Sequence, residues 1–207
     1  MSLLHYLLIL LICTAAAALM LSISLRLVVS TAIIHARYRI QSRPIFEPTT
    51  LDNLPITFRP KLGELIRRMQ AMGFVAVANV TAREPNAPQQ VTQCMLVNRQ
   101  TGTRAAIFCL IMRNQYLPSI AFVNEYSDGT DIRTANARSV EFARQGPRRF
   151  RESLPRDAMV EEMFRRHAAQ VAAHAPTDAA PILPEPGREI EFVSARHAEA
   201  RAAALPK

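Results

Sequence analysis

The stretch RAAIFCLIM, residues Arg104–Met112, is the part of the sequence that most limits the fold. Every residue in it after Arg104 is apolar. Because successive side chains of a β-strand point to opposite faces, a strand of this kind needs cover on both faces and belongs in the middle of a sheet. We expect a preceding helix to cover one face. Either a second helix, a partner protein or a membrane surface covers the other.

Four further strands are predicted around this central strand. The links RQTGT and Asp128-Gly129 contain glycines that permit a left-handed turn, so each should join its flanking strands as a hairpin. Short links of this kind favour antiparallel pairing. The sequence therefore predicts an antiparallel meander of about five strands. The four additional strands are Phe74–Val80, Val91–Asn98, Ser119–Tyr126 and Thr130–Thr134.

Helices are predicted before and after the strands. The segment KLGELIRRMQAM follows Pro60 and precedes Gly73, and its apolar residues recur at helical spacing. A second helix is predicted over Arg156–His174, whereas Glu189–Leu205 either forms a further helix or stays disordered until it docks. The predicted fold class is α+β: an N-terminal transmembrane helix, then a helix packed on the antiparallel meander, then one or two C-terminal helices.

The first 25 residues carry no charged side chain, although the whole chain has 25 basic and 17 acidic residues and a net charge of +8. Within them, Leu7–Leu25 is an apolar run that, at about 1.5 Å per residue, matches a bilayer core of about 30 Å. A cleavable signal peptide would have basic residues before a shorter apolar core. Arginines and no acid follow the run before Glu47, so the positive-inside rule places the N-terminus outside and the rest in the cytoplasm.

Proline content divides the remainder of the chain. Four prolines in residues 44–60 indicate an extended linker, and a second proline-rich stretch follows His174. The predicted organisation is an N-terminal segment with a single transmembrane helix (1–34, helix about 5–30), a juxtamembrane proline-rich linker (35–60), an α+β domain (61–174), and a proline-rich linker with a C-terminal tail or helix (175–207).

The sequence contains no catalytic or metal-binding motif that we recognise. No two histidines lie four residues apart, no cysteine pair has zinc-ligand spacing, and no P-loop, nucleophile elbow or dinucleotide fingerprint is present. We therefore assign no catalytic residue, metal or cofactor, and enzyme activity has no positive support. His167 is interpreted as a packed or capping residue rather than as a ligand or proton carrier.

Two of the three cysteines, Cys94 and Cys109, lie on the strands of the first hairpin. A two-residue turn centred on Thr101-Gly102 would set their sulfurs opposite each other, whereas a bulged three-residue turn would separate them. In a reducing cytoplasm both are most simply small core residues, with a redox pair as the alternative.

A basic segment occupies residues 133–151, with six arginines, one acid and two interleaved phenylalanines. It is either a solvated loop or a contact for lipid headgroups, an acidic partner or nucleic acid. Nucleic acid is disfavoured because no recognised module or stacking platform is present. Together with the arginines after the apolar run, the candidate contacts for anionic lipid or a partner are Arg37, Arg39, Arg43, Arg138, Arg144, Arg148, Arg149 and Arg151.

Three short motifs carry a family resemblance: Gly73-Phe74, Asp128-Gly129-Thr130 and Thr134-Ala135-Asn136. With them, about residues 60–170 resemble a group of uncharacterised bacterial single-pass membrane proteins. The resemblance implies a bacterial inner-membrane protein with a small α+β domain, and it brings no known activity or site.

We accordingly expect a membrane-anchored binding or accessory domain, acting as a subunit or scaffold of a bacterial inner-membrane complex with other membrane-protein subunits as partners. One alternative is a membrane-tethered enzyme or small-ligand-binding domain with a pocket between the sheet and the first helix. A second alternative is a basic tether for anionic lipid or nucleic acid.

Overall fold

The structure is a computed structural model. Its described residues form one mixed sheet of seven strands, which lie side by side in the order of the sequence. These residues are Met20, 45–54, 58–83, 90–112, 115–136 and 147–204. The chain divides into two compact units, Met1–Ser42 and Arg43–Lys207, and the seven-stranded sheet belongs to the second.

The described elements are, in order, a strand, a 3-10 turn and a helix, then six strands, then two helices. The strands are β1 (Ile45–Pro48), β2 (Val75–Arg83), β3 (Gln90–Asn98), β4 (Thr103–Met112), β5 (Gln115–Glu125), β6 (Asp131–Ala135) and β7 (Arg149–Ser153). The α-helices described are α1 (Arg59–Ala71), α2 (Val160–His174) and α3 (Glu189–Ala204), and a 3-10 turn spans Leu51–Asn53.

Strand β4 lies in the middle of the sheet, hydrogen-bonded to β3 and β5. On one side, which we call the first face, its Ala105, Ile107 and Cys109 are completely buried. Helices α1 and α2 cover this face, and residues of both helices belong to the same hydrophobic core as β4. The side chains at Arg104 and Phe108 lie on the opposite, second face and are half-buried.

The hydrophobic core between the first face and the two helices is built around aromatic rings. Phe74, Phe122 and Phe164 contact one another with ring centroids 5.1–5.6 Å apart. Met69 of α1 and Met163 of α2 are fully buried beside them. Apolar side chains therefore fill the space between the sheet and α1, where the sequence left room for a ligand pocket.

Helix α3 covers part of the second face. It packs mainly on β1 and β2, and its His197 ring lies 5.4 Å from the Phe46 ring. The sequence left open whether the second helix or another molecule covered this side of β4. In the structure the second helix, α2, shares the first face with α1, where the Arg68 Nε donates a hydrogen bond of 2.7 Å to Glu161 Oε1.

The predicted five-strand antiparallel meander is wrong in three respects. Among the described residues the sheet has seven strands, β1 precedes α1, and β7 pairs with β6 in parallel. Both missed strands lie at sheet edges, which proteins commonly protect with proline or charged side chains. Pro48 ends β1, while Arg149 and Arg151 belong to β7. For this reason the composition of β1 is typical of a linker and that of β7 is typical of a solvated loop, and neither strand was predicted.

No helix within the described ranges is long and apolar enough to cross a membrane. The transmembrane helix in the predicted fold, and with it the description of the chain as a membrane protein, is corrected on this finding. Apart from Met20, the apolar run Leu7–Leu25 lies outside the described residues. The predicted cellular location and chain orientation stay predictions.

The first hairpin has a longer turn than either alternative considered from the sequence. Asn98 pairs with Thr103, so four residues form the turn. Cys94 therefore lies opposite Ile107 rather than opposite Cys109. Both cysteines are buried in the hydrophobic core, as expected for small core residues, and burial raises the pKa of Cys94 to about 12.

A C-terminal arm returns to this turn before α3 begins. Ser127 N donates to Ala180 O at 3.0 Å, and Ile182 N donates to Glu125 O at 2.7 Å. These bonds place Pro181 against Gly102, which has a φ of +66°. A Cβ at Gly102 would lie 2.8 Å from Pro181 carbons, so the turn and the arm fit only because position 102 lacks a side chain.

We predict that Gly102→Ala destabilises the protein more than Gly129→Ala. Both glycines have positive φ, but a Cβ at Gly129 would meet nothing within 4 Å. Gly129→Ala should thus cost only the backbone strain of about 1 kcal/mol, whereas Gly102→Ala adds a clash and should cost about 2–3 kcal/mol. Urea unfolding measures both values. Equal losses for the two variants would show that the arm does not pack against the turn.

Candidate functional site

A row of arginines crosses the second face of the sheet. The register places Arg104 of β4 beside Val123 of β5, Val123 beside Arg133 of β6, and Arg133 beside Arg151 of β7. All four positions lie on the same face because directly paired residues of neighbouring strands share a face. Like charges in such a row destabilise a sheet unless carboxylates separate them.

Two carboxylates, one register step away, separate these guanidinium groups. Glu125 accepts hydrogen bonds from Arg104 Nη2 at 2.5 Å and from Arg133 Nη2 at 2.8 Å. Asp131 accepts from Arg133 Nε at 2.9 Å and from Arg151 Nη2 at 2.5 Å. The result is an alternating chain of five charges that runs from the central strand to the sheet edge.

Burial and the neighbouring charges have opposite effects on the pKa values of these paired side chains. Burial acts to raise the pKa of Glu125, but the neighbouring Arg104, Arg133 and Arg196 outweigh it and hold that pKa below its usual value. Burial likewise lowers the pKa of Arg104, and Glu125 opposes this change. Because each buried charge depends on its partners, the side chains are held in a fixed arrangement.

Helix α3 adds an arginine and an aromatic ring to the site. The guanidinium carbons of Arg104 and Arg196 lie 4.8 and 5.4 Å from the centroid of the Phe192 ring, within cation–π distance. Arg196 Nε lies 3.5 Å from Glu125 Oε2, and its Nη1 donates to Glu199 Oε2 at 2.7 Å. The C-terminal helix is therefore joined electrostatically to β4 and β5.

Arg149 completes what we call the arginine cluster: Arg104, Arg133, Arg149, Arg151 and Arg196, with Glu125 and Asp131. Arg149 is paired in register with Asp131, is exposed, and has no ion-pair partner among the described residues. With Glu199 included, the cluster brings together five guanidinium groups and three carboxylates within the part of the chain that the structure describes. Side-chain exposure rises from 7% for Arg151 to 32% for Arg196, so the accessible charge belongs mainly to Arg149 and Arg196.

The structure brings only some of the predicted contact residues to this site. Arg149 and Arg151 belong to the cluster, and nearby Arg148 is exposed and donates from Nη1 to the Asp128 carbonyl oxygen at 2.5 Å. Arg104 and Arg196 were missed from the sequence because neither lies in the basic segment. The sequence did contain a signal for Arg104, because it is the one charged residue in the otherwise apolar predicted strand Arg104–Met112. The other candidates, Arg37, Arg39, Arg43, Arg138 and Arg144, lie outside the described residues.

His167 lies in a separate, fully buried polar network on the first face. Its Nε2 is 2.9 Å from Asn124 Oδ1, and its Nδ1 is 3.2 Å from Thr134 Oγ1. Asn124 Nδ2 in turn donates to Gly102 O at 3.1 Å, which leaves its Oδ1 to accept from the His167 Nε2–H. Burial lowers the pKa of His167 to about 4. The histidine is a neutral packed residue, as expected, and links α2 to the sheet and to the first hairpin turn.

Other features of the described residues offer less chemistry. Among them, no three His, Cys, Asp or Glu side chains are grouped to hold a metal ion. A shallow cleft of about 430 Å³ lies between β1, β2 and the start of α3. The buried Oδ1 of Asn79, a residue that lines this cleft, has no hydrogen-bond partner among the described residues. Of the described residues that line the cleft, Arg188 is the one cation, and it is paired with Glu191 at 2.8 Å.

Comparisons with protein-family models, with curated proteins and with solved structures each gave no match. The resemblance based on the three short motifs therefore stays a prediction, and the arginine cluster is the candidate site on its geometry.

We predict that stability falls between pH 6.5 and pH 4 partly because of His167. In the unfolded chain the imidazole of His167 binds a proton near pH 6.5, whereas in the folded protein the buried imidazole is not protonated until about pH 4. The unfolded state therefore gains protons first as the pH falls, which removes up to about 3 kcal/mol of stability across this window. Urea unfolding of His167→Gln should show a shallower loss than the parent protein. Parallel pH profiles would contradict a buried, neutral His167.

Proposed function

We propose that the Arg43–Lys207 unit is a binding domain that docks an acidic partner protein on the arginine cluster, as an accessory subunit of a larger assembly. The observation that carries the proposal is the exposed guanidinium group of Arg149, which has no ion-pair partner among the described residues and lies on the same face as the ion pairs of Arg104 and Arg151. A carboxylate from a partner would pair with this group. Arginine is suited to the task because its planar fork pairs with a carboxylate through two hydrogen bonds.

The fixed geometry of the cluster supports a binding role. Glu125 holds Arg104 and Arg133, and the Phe192 ring lies against Arg104 and Arg196. Side chains that are already ordered lose less conformational entropy when a partner arrives. Arg149 and Arg196, the more exposed members, are the positions where a first contact with a partner is expected.

An acidic protein fits the cluster better than nucleic acid does. Glu125 and Asp131 alternate with the arginines, so the guanidinium charge that has no partner among the described residues is small and localised at Arg149. Nucleic acid presents a continuous row of phosphates and is typically bound through many unopposed cations. A few partner carboxylates match a small, localised charge, whereas a phosphate row would also approach Glu125 and Asp131.

The side chains with catalytic potential are placed less favourably for an enzyme. His167 has no exposure to solvent, and Cys94 and Cys109 lie inside the hydrophobic core. The chemistry that remains accessible on the second face is charge pairing. This favours binding over the alternative of a tethered enzyme.

Charge reversal at Arg149 tests the proposal. With poly-L-glutamate as the probe, Arg149→Glu should weaken binding at low salt by about fivefold or more, and raising the salt should shrink the difference. The matched control is Arg67→Glu on α1, which makes the same charge change at an exposed arginine away from the cluster. Isothermal titration calorimetry on the full chain measures both.

Equal losses of affinity for Arg149→Glu and Arg67→Glu would overturn the proposal, since binding of poly-L-glutamate would then depend only on net charge. Tighter binding of duplex DNA or of anionic vesicles than of poly-L-glutamate, with the same sensitivity to Arg149→Glu, would overturn the choice of an acidic protein as partner.

A further inference from the structure

Two carboxylates contact the guanidinium group of Arg196, and they differ in exposure. Arg196 Nε lies 3.5 Å from Glu125 Oε2, and the Glu125 side chain is 14% exposed. Arg196 Nη1 donates a hydrogen bond of 2.7 Å to Glu199 Oε2, and the Glu199 side chain is 63% exposed. The first carboxylate therefore holds Arg196 from inside the arginine cluster, whereas the second contacts it on the solvent side.

The two carboxylates also differ in how readily they can leave Arg196. Glu125 accepts hydrogen bonds from Arg104 and Arg133 as well, so its removal would also break two further ion pairs of the cluster. Arg196 is the one ion-pair partner of Glu199 among the described residues. Exposed ion pairs three residues apart on a helix contribute little to stability, because water solvates both groups when they separate. Glu199 is therefore the displaceable partner.

We propose that Glu199 is an internal substitute for a carboxylate of the acidic partner, and that the partner displaces it from Arg196 on binding. This inference rests on the proposed function, because it states what occupies part of the arginine cluster before the partner arrives. The Nε edge of Arg196 faces Glu125, so a partner carboxylate approaches the end of the guanidinium group. Paired hydrogen bonds at that end use Nη1 and Nη2 together, and Glu199 bonds to Nη1.

The position of Arg196 does not depend on Glu199 alone. Its guanidinium carbon lies 5.4 Å from the centroid of the Phe192 ring, and Glu125 faces its Nε. Both contacts remain when Glu199 moves away. A residue that merely positioned Arg196 would be needed for binding, whereas a substitute for the partner opposes it. The two roles therefore predict opposite effects when the Glu199 carboxylate is removed.

The exchange at Arg196 indicates the kind of acidic partner that fits. Arg149 has no ion-pair partner among the described residues, so a first carboxylate can pair with it directly. A single carboxylate at Arg196 only exchanges one exposed ion pair for another, and this changes the free energy little. A segment with two or more carboxylates makes the second contact intramolecularly once the first has formed. The site thus favours an acidic segment over an isolated acidic residue.

Glu199→Gln tests this inference, with Glu191→Gln as the matched control. Each change removes one negative charge from an exposed glutamate of α3 that pairs with an arginine three residues before it, but Arg188, the partner of Glu191, is not part of the arginine cluster. Glutamine and glutamate have similar helix propensities. In calorimetric titrations of the full chain, Glu199→Gln should raise the affinity for poly-L-glutamate about two- to fivefold, and Glu191→Gln should change it by less.

A double variant shows whether the gain arises at Arg196. In an Arg196→Gln background, Glu199→Gln should leave the affinity for poly-L-glutamate unchanged, because no cation remains at position 196 for the two carboxylates to compete for. A gain of the same size in that background would overturn the inference.

The remaining outcomes separate this inference from the proposed function. Unchanged or weaker binding by Glu199→Gln would overturn the inference, and so would equal gains for Glu199→Gln and Glu191→Gln, since net charge would then explain both. In each of these cases the proposed function stands if Arg149→Glu still weakens binding. If the parent chain does not bind poly-L-glutamate, both are wrong.

Discussion

Both faces of strand β4 must be removed from water, and the remaining architecture follows from this requirement. Ile107 and Cys109 on the first face have no exposure, and Phe108 on the second face is half-buried. Burying a large apolar side chain contributes about 1.5–3 kcal/mol, so a central strand of this composition is stable only between two layers. Helices α1 and α2 form one layer, and α3 forms part of the other.

The arginine cluster lies where the apolar cover of the second face gives way to charge. Helix α3 packs mainly on β1 and β2 and extends Phe192 and Arg196 toward the central strands. At the ends of β4 and β5 and along β6 and β7, the second face carries the ion pairs of Arg104, Arg133 and Arg151. Ion pairs of this kind are weak sources of stability but fix the geometry of the groups they contain. A surface that is rigid and incompletely neutralised is suited to binding.

Those elements whose signals are local could be predicted from the sequence. The central strand, the two hairpins marked by Gly102 and Gly129, and the helix between a proline and a glycine are all present in the fold. The edge strands were missed because proline and arginine, which protect edges, are also typical of loops. The sequence left the position of Cys94 relative to Cys109 open between two turn lengths, and the turn in the structure has four residues, longer than both. Asn98 stabilises this turn, because its Oδ1 accepts hydrogen bonds from the amides of Gln100 and Thr101.

The candidate site was predicted only in part, for a related reason. The arginine-rich composition of residues 133–151 identified Arg149 and Arg151, because a basic segment is visible without a fold. Arg104 and Arg196 join them only through the sheet register and the docking of α3. The acids that pair with these arginines, Glu125 and Asp131, lie on either side of a hairpin turn. Acidic residues are common beside turns, so nothing in the sequence assigned them to a site. Charge balance in three dimensions therefore could not be derived from charge along the chain.

The most direct test of binding at the arginine cluster is the nuclear magnetic resonance spectrum of the arginine Nε–Hε groups as poly-L-glutamate is added to the full chain. We expect the signals of Arg149 and Arg196 to shift first, while those of Arg67 and Arg165 on the helices of the first face stay in place. Shifts of equal size at all four arginines, or shifts confined to Arg67 and Arg165, would contradict a binding site on the second face.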